Sequence, residues 1–382
     1  MPEPTHSRDH RIDLFRGLAL VMIFINHIPG TIWENVTSRN FGFSDAAEGF
    51  VLMSGIAAGL AYGPAFLRSP LNLRAALRPW RRAFTIWWVH CIVIFCIFAM
   101  FWLTIAQPLM IEMSEKRNIL LALKDPLALA GPLVFLGHQF AYADILPLYI
   151  VLLLAAPAIL YACANWPKAT MLASVLLWFV VGVTSTKMPT FPTPNGWSFN
   201  PLAWQILFVA GVLTGLAMRR GQRLLPINTW ALRLAIGFVI FAAIWVQVPA
   251  VAAVGGHSLW ILHEYLGVPN VFTAFDKSYV FLPRLLHILA LSYVLSALPW
   301  VKTLAANPKL APLTMLGRHS LPVFAVGSVL AYGAQVTKKL QPPSTLLDTV
   351  LILCGLCILF LVAYLRDGQK AAKTTNLQPA TK

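Results

Sequence analysis

The sequence predicts an all-α, polytopic integral membrane protein with about ten transmembrane helices. Three observations carry that prediction. Mean hydropathy is +0.70 and only 11% of residues are charged, about half the share of a soluble domain. Apolar runs of ~20 residues recur along the chain, each long enough to cross a hydrocarbon core of ~30 Å. Lysines and arginines also divide unevenly between alternate loops, as helix insertion with a positive inside requires.

The elements follow in order. The first run, about 12–28, closes at Pro29-Gly30, and the second, about 46–66, opens behind Ser44, Asp45 and Glu48. There Ser44 is expected as the N-cap, with both acids in the first turn, where the helix dipole favours them. The third run, about 83–106, follows the basic stretch Arg78-Pro-Trp-Arg81-Arg82. A further apolar piece, Ile119–Leu136, is broken by Lys124, Asp125, Pro126 and Pro132 and reads as a re-entrant or surface segment. The next runs are about 144–165 behind Asp144, about 169–186, about 203–219 behind Asn200-Pro201, and about 230–249. The last three are about 283–301, about 313–336 across Gly317-Arg318-His319-Ser320, and about 346–365. Residues 11–366 form one membrane domain between polar tails, 1–10 and 367–382, expected to lack fixed structure. No internal repeat stands out.

With the N-terminus inside and about ten crossings, the inner side holds 20 of the 29 lysines and arginines. Both termini are therefore expected on the inner side of the membrane. The net charge of +15 is then anchoring to anionic lipid, and no aromatic-interleaved basic patch suggests nucleic acid. The first run carries Arg16 and His27 and no small-x-small site follows, so it is not a cleavable signal. The five cysteines make no disulfide framework; Cys354-x-x-Cys357, inside an apolar run, reads as two small packing residues.

Arg16 and His27 are the informative pair. Eleven helical steps separate them, which brings His27 to within about 20° of Arg16 and roughly 16 Å further along. Asp13 shares that face, Asn26 adjoins His27, and Asp45 and Glu48 open the next run from the same side. Ionisable groups inside apolar spans are costly and by default mark function. A carboxylate from Asp45 or Glu48 is expected to orient the His27 imidazole as a general base, with Arg16 and Asp13 as a buried pair below it. Capping alone is an equal reading for Asp45. Arg78, Arg81 and Arg82 suit phosphate groups, because arginine donates in pairs, although plain inner-side anchoring explains them as well. Arg318 and His319 lie towards the same inner side. Asp144, Asn200, Trp204 and Gln205 gather at the outer starts of two spans and are expected to close around His27. His90 and His287 read as hydrogen-bonded core residues. No His-Glu-x-x-His or paired Cys-x-x-Cys supports a metal site. Ser54-Gly55 lacks the setting of a nucleophile elbow and suits close helix packing.

In order along the chain, Arg16-x10-His27, Phe50-x-x-x-Ser54-Gly55 and Arg78-x-x-Arg81 resemble the type-three membrane acyltransferase superfamily. The segments RIDLFRGLALVMIFINHIPG, NFGFSDAAEGFVLMSG, ADILPLYI, FNPLAWQILFVAG and LGRHSLPVF bring the chain closest to the OpgC family, named for succinylation of osmoregulated periplasmic glucans. Val51 departs from the superfamily's second Phe. The resemblance implies an inner-membrane enzyme moving an acyl group from a cytoplasmic acyl-CoA, with succinyl-CoA the donor the family name suggests, to a periplasmic or surface glycan. It implies that His27 is catalytic, that Arg16 is its basic companion, and that Arg78 and Arg81 meet the donor. Two other classes remain open on the residues alone. One is a proton-coupled transporter or flippase for a glycan or its precursor, since histidine and carboxylate chains also relay protons. The other is an inactive scaffold in a glucan-synthesis complex.

Overall fold

Backbone polar groups in hydrocarbon have no water to pair with, so an apolar run must satisfy them internally as a helix. Every run named above does so. The computed structural model describes residues 9–68, 73–192 and 196–375. In chain order the helices are α1 (His10–Asn26), α2 (Ala46–Arg68), α3 (Leu73–Thr104), α4 (Pro108–Lys116), α5 (Leu120–Lys124), α6 (Pro126–Val134), α7 (Ile145–Asn165), α8 (Pro167–Thr184) and α9 (Pro201–Arg219). They continue as α10 (Thr229–Gln247), α11 (Pro249–Glu264), α12 (Asn270–Thr273), α13 (Leu282–Ala297), α14 (Pro299–Ala305), α15 (Ala311–Arg318), α16 (Ser320–Leu340) and α17 (Thr345–Thr375). Among the described residues there is no strand. Among the described residues eight helices are long and apolar enough to cross a membrane, or nine if α13 and α14, bent by 81°, count as one broken span. At 17 residues, α1 is slightly shorter.

Glycine governs how closely the central helices approach. Gly55 and Gly59 on α2 meet Gly211 and Gly215 on α9. A Cβ on Gly55 would lie 2.2 Å from the Phe208 carbonyl oxygen, and one on Gly211 would lie 2.2 Å from that of Leu52. Backbone therefore touches backbone, the contact that small residues four apart permit in membranes. The Ser54-Gly55 turn has the packing role expected of it. α1 crosses α15 in the same way, with Gly17 against the Leu313 carbonyl oxygen and Gly317 against that of Asp13.

Four expectations change. The runs at 283–301 and 313–336 are each broken. Pro299 disfavours a helical Leu298, whose ψ is 117°, and the chain turns there. His319 caps α15 and starts α16, and Asp367 of α17 holds it through a 2.9 Å bond to Nε2. The arginine stretch, expected ahead of the third run, lies in the early turns of α3, whose 32 residues extend about 48 Å and carry its N-terminus beyond a hydrocarbon core. The stretch between the runs at 230–249 and 283–301, left without an element by the apolar pattern, contains α11, which has no buried residue. α17 runs on to Thr375, past the expected start of the tail; residues 1–8 and 376–382 of the expected tails lie outside the described residues. Two smaller readings also fail. Cys354 and Cys357 are free and exposed rather than packed, and His90, though buried, finds no hydrogen-bond partner among the described residues.

Candidate functional site

The N-terminal end of α1 and the C-terminal end of α13 share one face of the bundle, joined where Arg11 donates to the Ser296 carbonyl oxygen at 3.2 Å. His27 caps the other end of α1. On that second face a cavity of about 590 Å³ is walled by His27 and Asn26 of the first helix end, Ser44 and Asp45 ahead of α2, Tyr142 and Asp144 ahead of α7, Ser198 and Phe199 ahead of α9, and Lys277 and Arg284. Helix ends from five parts of the chain thus converge on one imidazole.

The two acids opening α2 have separate tasks. Asp45, not Ser44, is the N-cap: its carboxylate accepts from Ala47 N at 2.8 Å, while Glu48 reaches back to Asp45 N at 3.0 Å. This is a capping box, in which each acid satisfies an otherwise orphaned donor. Glu48 is fully buried and bound by Arg284, whose Nε donates to its Oε1 at 2.7 Å. Asp45 accepts from Lys277 Nζ at 2.6 Å. Burial alone raises the Asp45 carboxyl, but Lys277 and Arg284 more than offset it and hold it below the ordinary range. For Lys277, partial burial lowers the ammonium, and Asp45 with Glu48 raises it above its ordinary value. Both groups therefore stay charged through neutral pH.

The expected hydrogen bond from Asp45 or Glu48 to the His27 ring is not formed. Glu48 is committed to Arg284, and Asp45 faces the cavity through its pair with Lys277. Aromatic rings hold the imidazole instead: Tyr142 edge-on at 4.8 Å and Phe324 at 6.5 Å between centroids. Its backbone oxygen accepts from Gln335 Nε2 at 2.6 Å. Asn26 accepts from the Thr37 hydroxyl at 2.8 Å, which ties the loop after α1 to the site.

Arg16 lines a second cavity of about 200 Å³, with Ser54, Tyr62, Arg82, Tyr149 and Ser320 among its walls. Arg16 Nη2 donates to the Met53 carbonyl oxygen at 3.2 Å and lies 3.3 Å from Ser54 Oγ. The Tyr149 hydroxyl donates to the same Ser54 oxygen at 2.7 Å. Ile145 and Phe324 belong to the walls of both cavities. The two chambers are therefore stacked along α1, with one layer of side chains between them.

The remaining expected residues divide. Asp144 lines the His27 cavity. Asn200, Trp204 and Gln205 do not. Asn200 donates to the Thr186 carbonyl oxygen at 2.8 Å, Trp204 Nε1 to that of Lys277 at 3.0 Å, and Gln205 Nε2 to that of Ser174 at 2.9 Å. Arg82 reaches the Arg16 cavity, whereas Arg78 and Arg81 are exposed on the same helix outside its walls. Arg318 and His319 share Asp367 at 3.5 and 2.9 Å, next in the chain to Ser320, which lines that cavity. Asp13 is buried at the crossing of α1 and α15. Among the described residues no group of three or more His, Cys, Asp or Glu is arranged to hold a metal. Sequence reasoning missed Tyr142, Tyr149, Lys277 and Arg284. Lys277 and Arg284 belong to the nine cations of the less basic side, where a charge is less readily explained as an anchor.

Against known proteins, the family model described as OpgC protein matches residues 8–371. No curated protein matches the chain.

Proposed function

The chain belongs to the OpgC family of glucan-modifying membrane acyltransferases, and on that premise we propose that it carries a succinyl group from cytoplasmic succinyl-CoA to a hydroxyl of a periplasmic glucan. It is a multi-pass membrane protein; we assign it to the inner membrane with the Arg16 end of the bundle in the cytoplasm, following the excess of lysine and arginine there.

The observation that carries the reading is the stacked pair of cavities. One opens beside Arg82 and Arg16 and the other holds His27, with Ile145 and Phe324 shared between them. Arg16 and His27 lie roughly 16 Å apart along one helix, a span suited to an extended pantetheine arm. In this reading Arg82, with Arg78 and Arg81 on the same exposed helix start, meets the nucleotide phosphates of the donor. The thioester then lies at the Phe324 layer. The His27 imidazole takes the proton of the acceptor hydroxyl as that oxygen attacks the thioester carbonyl carbon. The new C–O bond forms, the C–S bond breaks, and the imidazolium returns its proton to the leaving thiolate. The products are a glucan ester and free CoA thiol. The 590 Å³ chamber has room for a sugar residue, and Asp144 and Asp45 are there to accept from its other hydroxyls.

The test is sided. In proteoliposomes of known protein orientation, with glucan on the His27 face, succinyl-CoA should support ester formation only from the Arg16 face. Transfer that requires both substrates on the His27 face would overturn the proposed route.

A further inference from the structure

Three side chains, Gln335, Arg117 and Tyr142, close a circuit that begins and ends on His27. Gln335 on α16 donates Nε2 to the His27 backbone oxygen at 2.6 Å. Its amide oxygen accepts from Arg117 Nε at 3.0 Å. The Arg117 guanidinium lies over the Tyr142 ring, 4.4 Å from its centroid, and the Tyr142 ring meets the His27 ring at 4.8 Å and 61°. Arg117 is thus held to His27 twice, through the backbone by Gln335 and through the imidazole by Tyr142.

The surrounding chain is built to hold Arg117 there. It caps α4, and Asn118 then takes a positive φ of 60°, so the chain leaves in a new direction. Some two dozen residues later the excursion through α5 and α6 returns to it, where Ala141 N donates to the Arg117 carbonyl oxygen at 3.1 Å. The Tyr332 hydroxyl donates to the Ala141 carbonyl oxygen, and Tyr142 itself adopts a positive φ of 66°. A bulky side chain in that left-handed region is a backbone outlier that persists only when its surroundings demand it. Here the conformation presents the tyrosine ring between a guanidinium and an imidazole.

We propose that Arg117 is a positioning residue for the transfer, fixing the height and tilt of the His27 imidazole through Gln335 and Tyr142 without touching substrate. This rests on the reading of His27 as the general base. None of Asp45, Glu48 and Asp144 makes a hydrogen bond to the ring, so the orienting task falls to this circuit. Misplacing a catalytic group by about 1 Å costs on the order of a hundredfold in rate.

The test compares kcat and KM for purified wild type, Arg117→Met, Arg117→Lys, Gln335→Glu, Tyr142→Leu, Tyr142→Phe and His27→Ala. Arg117→Met, Gln335→Glu and Tyr142→Leu should each lower kcat at least tenfold with KM for both substrates changed less than twofold. Tyr142→Phe should keep at least fivefold more kcat than Tyr142→Leu, because it retains the ring that stands between Arg117 and His27. Gln335→Glu still accepts from Arg117 but has no proton for the His27 oxygen, so it reports on the circuit even if Arg117→Met folds poorly. Arg117→Met combined with Gln335→Glu should cost little more than either alone. Full activity in Arg117→Lys would mean that charge alone matters and would overturn the positioning role. So would unchanged kcat in Gln335→Glu and Arg117→Met beside an inactive His27→Ala. An active His27→Ala would instead overturn the underlying reading of the site.

Discussion

Asp45 and Glu48 stand three residues apart on one helix turn, yet one lines the His27 cavity paired with Lys277 and the other is locked in the protein interior. Glu48 has no accessible surface and its partner Arg284 is also largely buried. Removing one member of such a pair strands a charge, at a cost of about 3–5 kcal/mol. Arg284→Ala should therefore lower the amount of folded protein as well as activity, and Arg284→Met with Glu48→Gln should recover much of the fold; thermal melts in detergent would compare them. His27→Ala is expected to behave oppositely: folded protein comparable to wild type and transfer reduced by about 10²–10⁴, the usual contribution of a general base. Lys277 and Asp45 set a pH window. The depressed Asp45 carboxyl contributes stability that is present above an unfolded value of ~3.9 and is lost as pH falls through its lower folded value. The raised Lys277 ammonium contributes below ~10.4 and is lost as pH rises through its higher folded value. The melting difference between wild type and Lys277→Met should therefore be flat from pH 5 to 9; a steep change inside that range would refute the assignment. At this scale the sequence was legible where polarity was out of place. Arg16 and His27 stand out because an apolar run has no other use for them. Tyr142 and Gln335 do not, since each is ordinary at a span end and acquires its task only from neighbours remote in the chain.

Helix existence followed from apolar runs because hydrocarbon leaves the backbone no alternative. Which helices touch was written more faintly. Gly55 and Gly59 on α2 and Gly211 and Gly215 on α9 have the four-residue spacing of a close crossing, but only the fold pairs the two sets. Gly211→Leu would drive a side chain into the Leu52 carbonyl, 2.2 Å from where its Cβ must lie. It should separate α2 from α9 and abolish the recovery of monodisperse protein, whereas Gly237→Leu, with nothing within 4 Å of its Cβ, should be tolerated. Size-exclusion profiles of the two variants make the comparison. The breaks at Pro299 and His319 were hidden for different reasons. Pro299 was in plain view within an otherwise apolar run. The stop at His319 depends on Asp367, which reaches it from α17.

As a whole, the molecule joins two chambers on opposite sides of a thin partition. Phe324 and Ile145 form that partition, so the account assigns it control of what passes from the Arg16 side to His27. Phe324→Trp should slow transfer while leaving donor binding at the Arg82 end intact, as measured by CoA titration. A variant that loses both together would point to a general loss of fold. No single segment of the sequence contains this arrangement: the partition comes from α7 and α16, the base from α1 and its ion-paired neighbours from α2 and the α12–α13 connection. His27 as the general base of acyl transfer to glucan is tested most directly by mass spectrometry of periplasmic glucans from a deletion strain carrying wild type or His27→Ala. The expected result is a succinyl ester mass that wild type restores and His27→Ala does not. Unchanged glucan masses in the deletion strain, or full restoration by His27→Ala, would contradict it.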